Sequence, residues 1–170
     1  MQLPGSDPLK VVCLSDSELG SGWLMIYRKH YNSPKLNRTY EDFDSGFGDL
    51  GTDSIPYYFI GLNRLHILTS GMAHEVILTT FPLGRRRCEH FVIGDRREGF
   101  KVKSIANCTG DDIWLSPKQG SKFSTFDQDE DGVPGRNLVK EEGFGWWFDP
   151  DMSRISHESD HIGVFIRRTG

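Results

Sequence analysis

What most constrains this chain is its punctuation. Runs rich in Val, Ile, Phe and Tyr recur at Gly22–Arg28, Tyr57–Leu62, Arg64–Thr69, Glu75–Phe81, His90–Ile93, Phe100–Ile105 and Val164–Arg167, each closed off by Gly, Pro, Asn or Asp. Runs of this length, rich in β-branched and aromatic residues and bounded by turn formers, predict strands. Several alternate apolar and polar, as in Phe100-Lys101-Val102-Lys103, which argues for an antiparallel sheet with one wet face. The sequence predicts one short helix, around Tyr40–Gly46, with Asn37 or Thr39 as cap and Glu41, Asp42 and Asp44 early in its turns. From Lys118 to Met152 no period is sustained, and a long irregular stretch in a compact domain is usually functional or organised by metal. The residues thus read as an antiparallel sheet with one short helix and a long irregular stretch toward the C-terminus.

With 170 residues the chain suits one domain. A formal net charge of -4 gives no basic footprint for nucleic acid, and the one basic run, Arg85-Arg86-Arg87, reads as a solvated turn. No apolar stretch approaches the ~20 residues of a membrane span. The first twelve residues show neither a basic nor an apolar leader region, so either a longer precursor or an intracellular protein is open here. Two N-x-S/T triplets, at Asn37 and Asn107, are candidate glycosylation sites of a secreted chain.

The densest chemistry lies between Phe126 and Asn137. Asp127, Asp129 and Asp131 alternate, followed by Gly132 and Gly135, a pattern that suits a hard cation taking carboxylate and backbone oxygens. It is not an EF-hand: counted from Asp127, the twelfth position is Leu138 where a bidentate Glu is required. Beside it, Trp146, Trp147 and Phe148 cannot all face one way on a strand, so inward packing is expected. A stacking platform for a sugar or acetyl group, with Trp146 and Trp147 as weak ligand-binding candidates, is the second reading. His157-Glu158-Ser159-Asp160-His161 fits the H-E-x-x-H zinc-peptidase pattern, which needs both histidines on one helix face and a third ligand. No His, Asp, Glu or Cys follows His161, and the chain there reads as a strand, so this stays a remote alternative. No catalytic Ser or Cys motif is present; the chain reads as non-enzymatic.

Ordered blocks carry a resemblance. Leu9–Cys13, Gly22-Trp23-Leu24-Met25-Ile26-Tyr27-Arg28, Asn37–Leu50, Phe59–Thr69, Phe123-Ser124-Thr125-Phe126-Asp127-Gln128-Asp129 and Gly145-Trp146-Trp147-Phe148 resemble, in order, motifs of the C-terminal globular domain of fibrinogen chains, shared with ficolins, tenascins, angiopoietins and tachylectins. The resemblance runs from Pro8 to about Asp151, in a domain read as residues 8–170, and implies an α+β fold with a central twisted antiparallel sheet, few short helices and a loop-rich, calcium-binding C-terminal part. It implies a secreted, extracellular recognition module bound to calcium through the carboxylates of Asp129 and Asp131 and the carbonyls of Val133 and Gly135, with Asp127 beside the ion. Implied partners are an extracellular protein or glycan, with self-association open, and neither nucleic acid nor membrane. The alternative it leaves is a structural or assembly domain that has lost small-ligand binding. In the family a small disulfide flanks the ligand pocket; Leu138 and Asp151 stand in its place here. The segments that usually wall the pocket after the paired tryptophans do not appear, and the partner of Cys13 in the family lies upstream of Met1.

The two remaining cysteines follow from hairpin geometry. His90–Ile93 and Phe100–Ile105 flank a loop, and Cys88 and Cys108 are equidistant from Glu98 within it. Opposed antiparallel residues approach closely enough for a disulfide, which predicts a Cys88–Cys108 bridge with Cys13 free. Two free thiols would follow instead from a one-residue slip in register.

Overall fold

The computed structural model describes residues 1–30, 36–48, 50, 55, 57–81, 84–151 and 161–170. One sheet of eight strands dominates: β1 (Cys13–Asp16), β2 (Gly20–Lys29), β3 (Phe47–Gly48), β4 (Tyr57–Phe59), β5 (His74–Phe81), β6 (Gly84–Ile93), β7 (Val102–Gly110) and β8 (His161–Arg168). The order is β3-β4-β2-β8-β5-β6-β7, with β1 paired to the first half of β2, and every pairing is antiparallel. The helices are α1 (Tyr40–Ser45), α2 (Leu62–Gly71) and α3 (Leu138–Glu142).

β8 takes the centre. It pairs with β5 from His74↔Arg168 to Phe81↔His161 and with β2 from Leu24↔Ile166 to Lys29↔Ile162. Ile162 through Ile166 are buried, as a strand covered on both faces requires. On one face Glu75 stands opposite Arg167 and is only 2% exposed. Its two oxygens accept from Arg167 Nε and Arg87 Nε, each at 2.6 Å, and the Arg167 guanidinium lies 4.4 Å over the Trp23 ring. The buried charge is thus matched from two sides, which is what its burial demands. The other face meets the loop-rich part through an aromatic chain: Tyr27 on Trp146, Trp146 on Trp147, Trp147 on Phe123, and Phe123 on Phe43 and Phe59.

Helix α1 begins as the sequence predicts. Thr39 Oγ1 accepts from the Asp42 N–H, and Asp42 reaches back to the Thr39 N–H. Gly46 ends it with a positive φ of 86°, and a Cβ there would come within 2.6 Å of the Ile60 carbonyl.

Two expectations change. Arg64–Thr69, read as a strand, is helical within α2, because Leu62, Leu65 and Thr69 recur at helical spacing and are the residues buried. Thr69 Oγ1 donates to the Leu65 carbonyl and accepts from the Ile93 N–H, tying the helix to the end of β6. Arg85-Arg86-Arg87 is not a turn but part of β6, with each arginine matched to an acid: Glu18, Asp112 and Glu75. Strand β1 had no sequence prediction. The β6–β7 hairpin closes through a single 3-10 turn, Arg96–Glu98, capped by Asp95. Cys88 and Cys108 are joined across it by a disulfide, with Cα atoms 4.1 Å apart, and Cys13 is free and exposed. Bulges interrupt the ladder on both sides of Glu89, and His90 and Asn107 take positive φ of 55° and 48°.

Candidate functional site

The acidic loop is held by side chains reaching the backbone. Ser124 and Trp146 form an isolated bridge, and Thr125 and Gln128 form another. Ser124 Oγ accepts from the Glu130 N–H at 2.9 Å. Asn137 caps α3 by accepting from the Lys140 N–H at 3.0 Å, while its own amide donates to the Phe126 carbonyl. The loop is therefore closed at its stem before any ion is considered.

The carboxylates, equivalent in sequence, separate in space. Asp131 is 2% exposed: Oδ1 accepts from the Val133 N–H at 2.8 Å and Oδ2 from the Leu138 N–H at 2.7 Å. Asp129 is exposed, and its Oδ1 accepts a long 3.4 Å contact from the Asp131 N–H. Desolvation first, and the neighbouring Asp131 charge next among the raising causes, hold the Asp129 carboxyl above the ordinary carboxylate range. Asp127 points elsewhere. Its Oδ1 accepts from the Tyr40 N–H at 3.0 Å and from Thr125 Oγ1 at 2.7 Å, so it fastens the loop to the start of α1. That tether had no sequence signal, since Tyr40 lies far away along the chain.

Does this donor set fit calcium? The oxygens are hard, and Gly132 and Gly135, at φ 75° and 76°, turn the backbone as a carbonyl-donating loop must. Among the described residues neither Asp129 nor Asp131 has a salt-bridge partner. A buried carboxylate with backbone donors and no salt-bridge partner has room for a cation. No group of three or more His, Cys, Asp or Glu among the described residues is arranged to hold a metal by side chains alone. The fit therefore rests on two carboxylates and the carbonyls of Val133 and Gly135.

The remaining sequence candidates resolve differently. Trp146 and Trp147 are 0% and 1% exposed, and their indoles donate to the Leu115 carbonyl (2.9 Å) and the Phe100 carbonyl (2.8 Å). Both are core residues, which corrects their reading as ligand-binding candidates: neither ring presents a face to solvent. Gly145 before them is obligatory, because a Cβ would sit 2.7 Å from the Phe43 ring. Leu138 fills core space with no exposure, and Asp151 is exposed beside Lys118, which also binds Asp149. A groove of about 620 Å³ runs past Asp129, Asp131, Asp149 and Lys118. His157 and Glu158 lie outside the described residues. His161 opens β8 opposite Phe81, with its ring 4.2 Å from that of His30, so the second histidine of the zinc pattern sits on a strand rather than a helix. Asn37 is exposed ahead of α1; Asn107 is exposed on β7, its amide donating to Glu89 at 2.8 Å. No helix among the described residues is long and apolar enough to cross a membrane.

Comparison with known proteins gives consistent matches. Residues 2–165 match the family described as fibrinogen beta and gamma chains, C-terminal globular domain. Bovine fibrinogen-like protein 1 is 28% identical over 98% of this chain and 57% of that protein. The human fibrinogen alpha chain is 33% identical over 87% of this chain and 18% of that protein. The chain thus spans little more than half of the first relative and a small part of the second. Among solved structures, the fibrinogen-like globe domain of human ANGPTL6 superposes with a TM-score of 0.80 at 22% identity, covering 98% of this chain and 86% of that one. Lamprey fibrin D-dimer, complexed with the peptide ligand Gly-His-Arg-Pro-amide, superposes with a TM-score of 0.72 at 18% identity, covering 99% and 67%.

Proposed function

This chain belongs to the family of fibrinogen C-terminal globular domains, and from that premise we propose that it is a non-catalytic recognition module of the extracellular space, stabilised by calcium and binding a protein or glycan partner. The observation that carries the calcium reading is Asp131: a buried carboxylate, oriented by two backbone N–H groups, without a salt-bridge partner among the described residues. Asp129 and the Val133 and Gly135 carbonyls complete the donor set. Calcium there supplies the missing positive charge and closes the loop; Asp127 holds the loop to α1 whether or not the ion is bound. The glycan sites are Asn37 and Asn107; attachment at Asn107 would replace one of the two hydrogens on the amide nitrogen that donates to Glu89.

The peptide carried by the lamprey relative supports protein recognition as one form of the activity. A second reading, an assembly domain without small-ligand binding, draws on the burial of Trp146 and Trp147 and on Leu138 and Asp151 standing where relatives place a disulfide. The two readings part on one measurement, binding of acetylhexosamines in the groove beside the acidic loop, where the second reading expects none.

The calcium test is thermal melting in calcium and in chelator. Ligand linkage gives about 2.7 kcal/mol of stabilisation at a hundredfold excess over Kd. Asp129→Ala should abolish most of that shift while leaving the melt in chelator nearly unchanged. Identical melts of the wild type in calcium and in chelator would sink the proposal.

A further inference from the structure

Two histidines far apart in sequence meet at one end of the central strand. Strands β2 and β8 pair as far as Lys29↔Ile162. One step on, His30 follows β2 and His161 opens β8, and their rings stand edge to face with centres 4.2 Å apart at 71°. Residues directly opposite on an antiparallel pair carry their side chains on one face, with Cβ atoms about 4.5–5.5 Å apart. On the other side of β8, Phe81 stands opposite His161 with its ring 6.1 Å away and is 66% exposed. His30 is exposed and His161 half-buried, so the imidazole pair is reached by solvent and flanked by an aromatic ring. The other described histidines are placed differently. His66 Nδ1 and His74 Nδ1 donate at 2.9 Å to the carbonyls of Ile93 and Met72, and His90 stands exposed on the bulged stretch of β6.

Two imidazoles side by side suit an ion of intermediate softness. Neutral imidazole is the commonest metal-binding side chain and favours zinc and copper, whereas calcium takes oxygen ligands. Bound to one tetrahedral ion at a Zn–N distance of about 2.0–2.1 Å, two rings have centres roughly 5 Å apart. The pair here has to open by about 1 Å, which side-chain torsions supply. Among the described residues no group of three or more His, Cys, Asp or Glu is arranged to hold a metal, so the remaining coordination positions fall to solvent. His161 is also the last residue of the H-E-x-x-H pattern, yet that pattern holds metal through two histidines on one helix. Here His161 lies on a strand, against His30. We infer that His30 and His161 together form a bidentate site for a divalent cation of the zinc and copper class, distinct in residues and in ligand chemistry from the acidic loop. Such an ion ties the end of β2 to the start of β8, which unfolding separates, and so stabilises the fold by mass action. The inference goes beyond the recognition reading and does not depend on calcium.

Isothermal titration calorimetry of the full, untagged chain with zinc chloride tests this. The wild type should show one saturable site. His30→Ala and His161→Ala should each weaken it by about tenfold or more, since loss of even an outer-shell partner costs a metal site about 10–100-fold. His157→Ala should leave it in place, which separates this pair from the H-E-x-x-H pattern. Asp129→Ala should leave it in place as well, which separates it from the acidic loop. No saturable zinc site in the wild type, an undiminished site in His30→Ala, or a loss in His157→Ala or Asp129→Ala as large as in His161→Ala would each overturn the assignment. Melting without added metal shows whether the variants fold. Should one of them not fold, copper(II) added below stoichiometry to the nitrogen-15-labelled wild type decides. The backbone amides of His30 and His161 should broaden before those of His66, His74 and His90, and the reverse order overturns the site. The calcium proposal is read by melting in calcium against chelator, so either proposal can fail without the other.

Discussion

In the sheet, β8 pairs residue for residue with β5 from His74 to Phe81, whereas between Asp111 and Asp151 the only ladder contacts are two isolated bridges. The sheet draws its order from many equivalent backbone bonds, so no single one matters much. The loop-rich part depends on a few side chains that each do something irreplaceable: Trp146 and Trp147 anchor it by their indoles, Asp131 organises two backbone amides, and Asp127 fastens it to α1. Charge is handled in opposite ways as well. Buried Glu75 in the sheet is salt-bridged to two arginines, whereas buried Asp131 in the loop is held by backbone amides alone.

That contrast can be broken at Trp147. Trp147→Ala removes a fully buried indole and its bond to Phe100, at a cost of about 3–5 kcal/mol by comparable core truncations. Chemical denaturation should show that loss together with a collapsed calcium response. A destabilised variant that kept the full calcium response would show that the loop does not depend on its indole anchors.

The disulfide gives the opposite case. Replacing Cys88 and Cys108 together by Ser should cost about 3 kcal/mol, by the entropy of closing a loop of that length. Since the bridge fastens the β6–β7 hairpin, the calcium-dependent shift should survive. If instead it vanished with the bridge, the two regions would form one cooperative unit. Tyr27 sharpens the comparison at the seam, because its hydroxyl donates from β2 to the Gly145 carbonyl at 3.1 Å. Tyr27→Phe should cost about 1 kcal/mol and slow neither calcium binding nor the melt of the sheet; a larger loss in denaturant titration would mean that the seam carries more than one bond.

The smallest effect appears only at alkaline pH. Burial raises the Tyr27 phenol well above its ordinary range and pushes Tyr40 up to about 12. The unfolded chain ionises both near pH ~10, so their contribution is complete below that pH and is lost as pH rises toward the folded values. Ultraviolet titration should show these two phenols ionising last, together with a fall in melting temperature above pH ~10. Ordinary ionisation of all five tyrosines would deny the burial at the seam.

Much of the sheet was legible because β-branched and aromatic runs between turn formers leave few alternatives, and α1 because Thr39 and Asp42 write its capping box into the sequence. Helix α2 was not, since Arg64-Leu65-His66-Ile67-Leu68-Thr69 also alternates well enough for a strand. The spacing of Leu62, Leu65 and Thr69 was the signal that decided it. The arginine run misled because its acids, Glu18, Glu75 and Asp112, are distant in sequence. In the candidate site, the residue types were legible and their inequality was not. Asp129 and Asp131 look alike until the amides of Val133 and Leu138 turn one of them inward.

The position of β8 also bears on how the molecule comes into being. As a ribosome delivers the chain, β2 with β4 and β5 with β6 can pair early, yet the gap between β2 and β5 stays open until His161–Arg168 emerges. Two half-sheets with bare inner edges therefore wait until β8 emerges. Edges of that kind invite pairing with other chains, and closing them demands contacts between residues far apart along the chain, which slows folding. The assembly step is thus a single late insertion, and the nascent protein is most vulnerable to aggregation just before its central strand arrives.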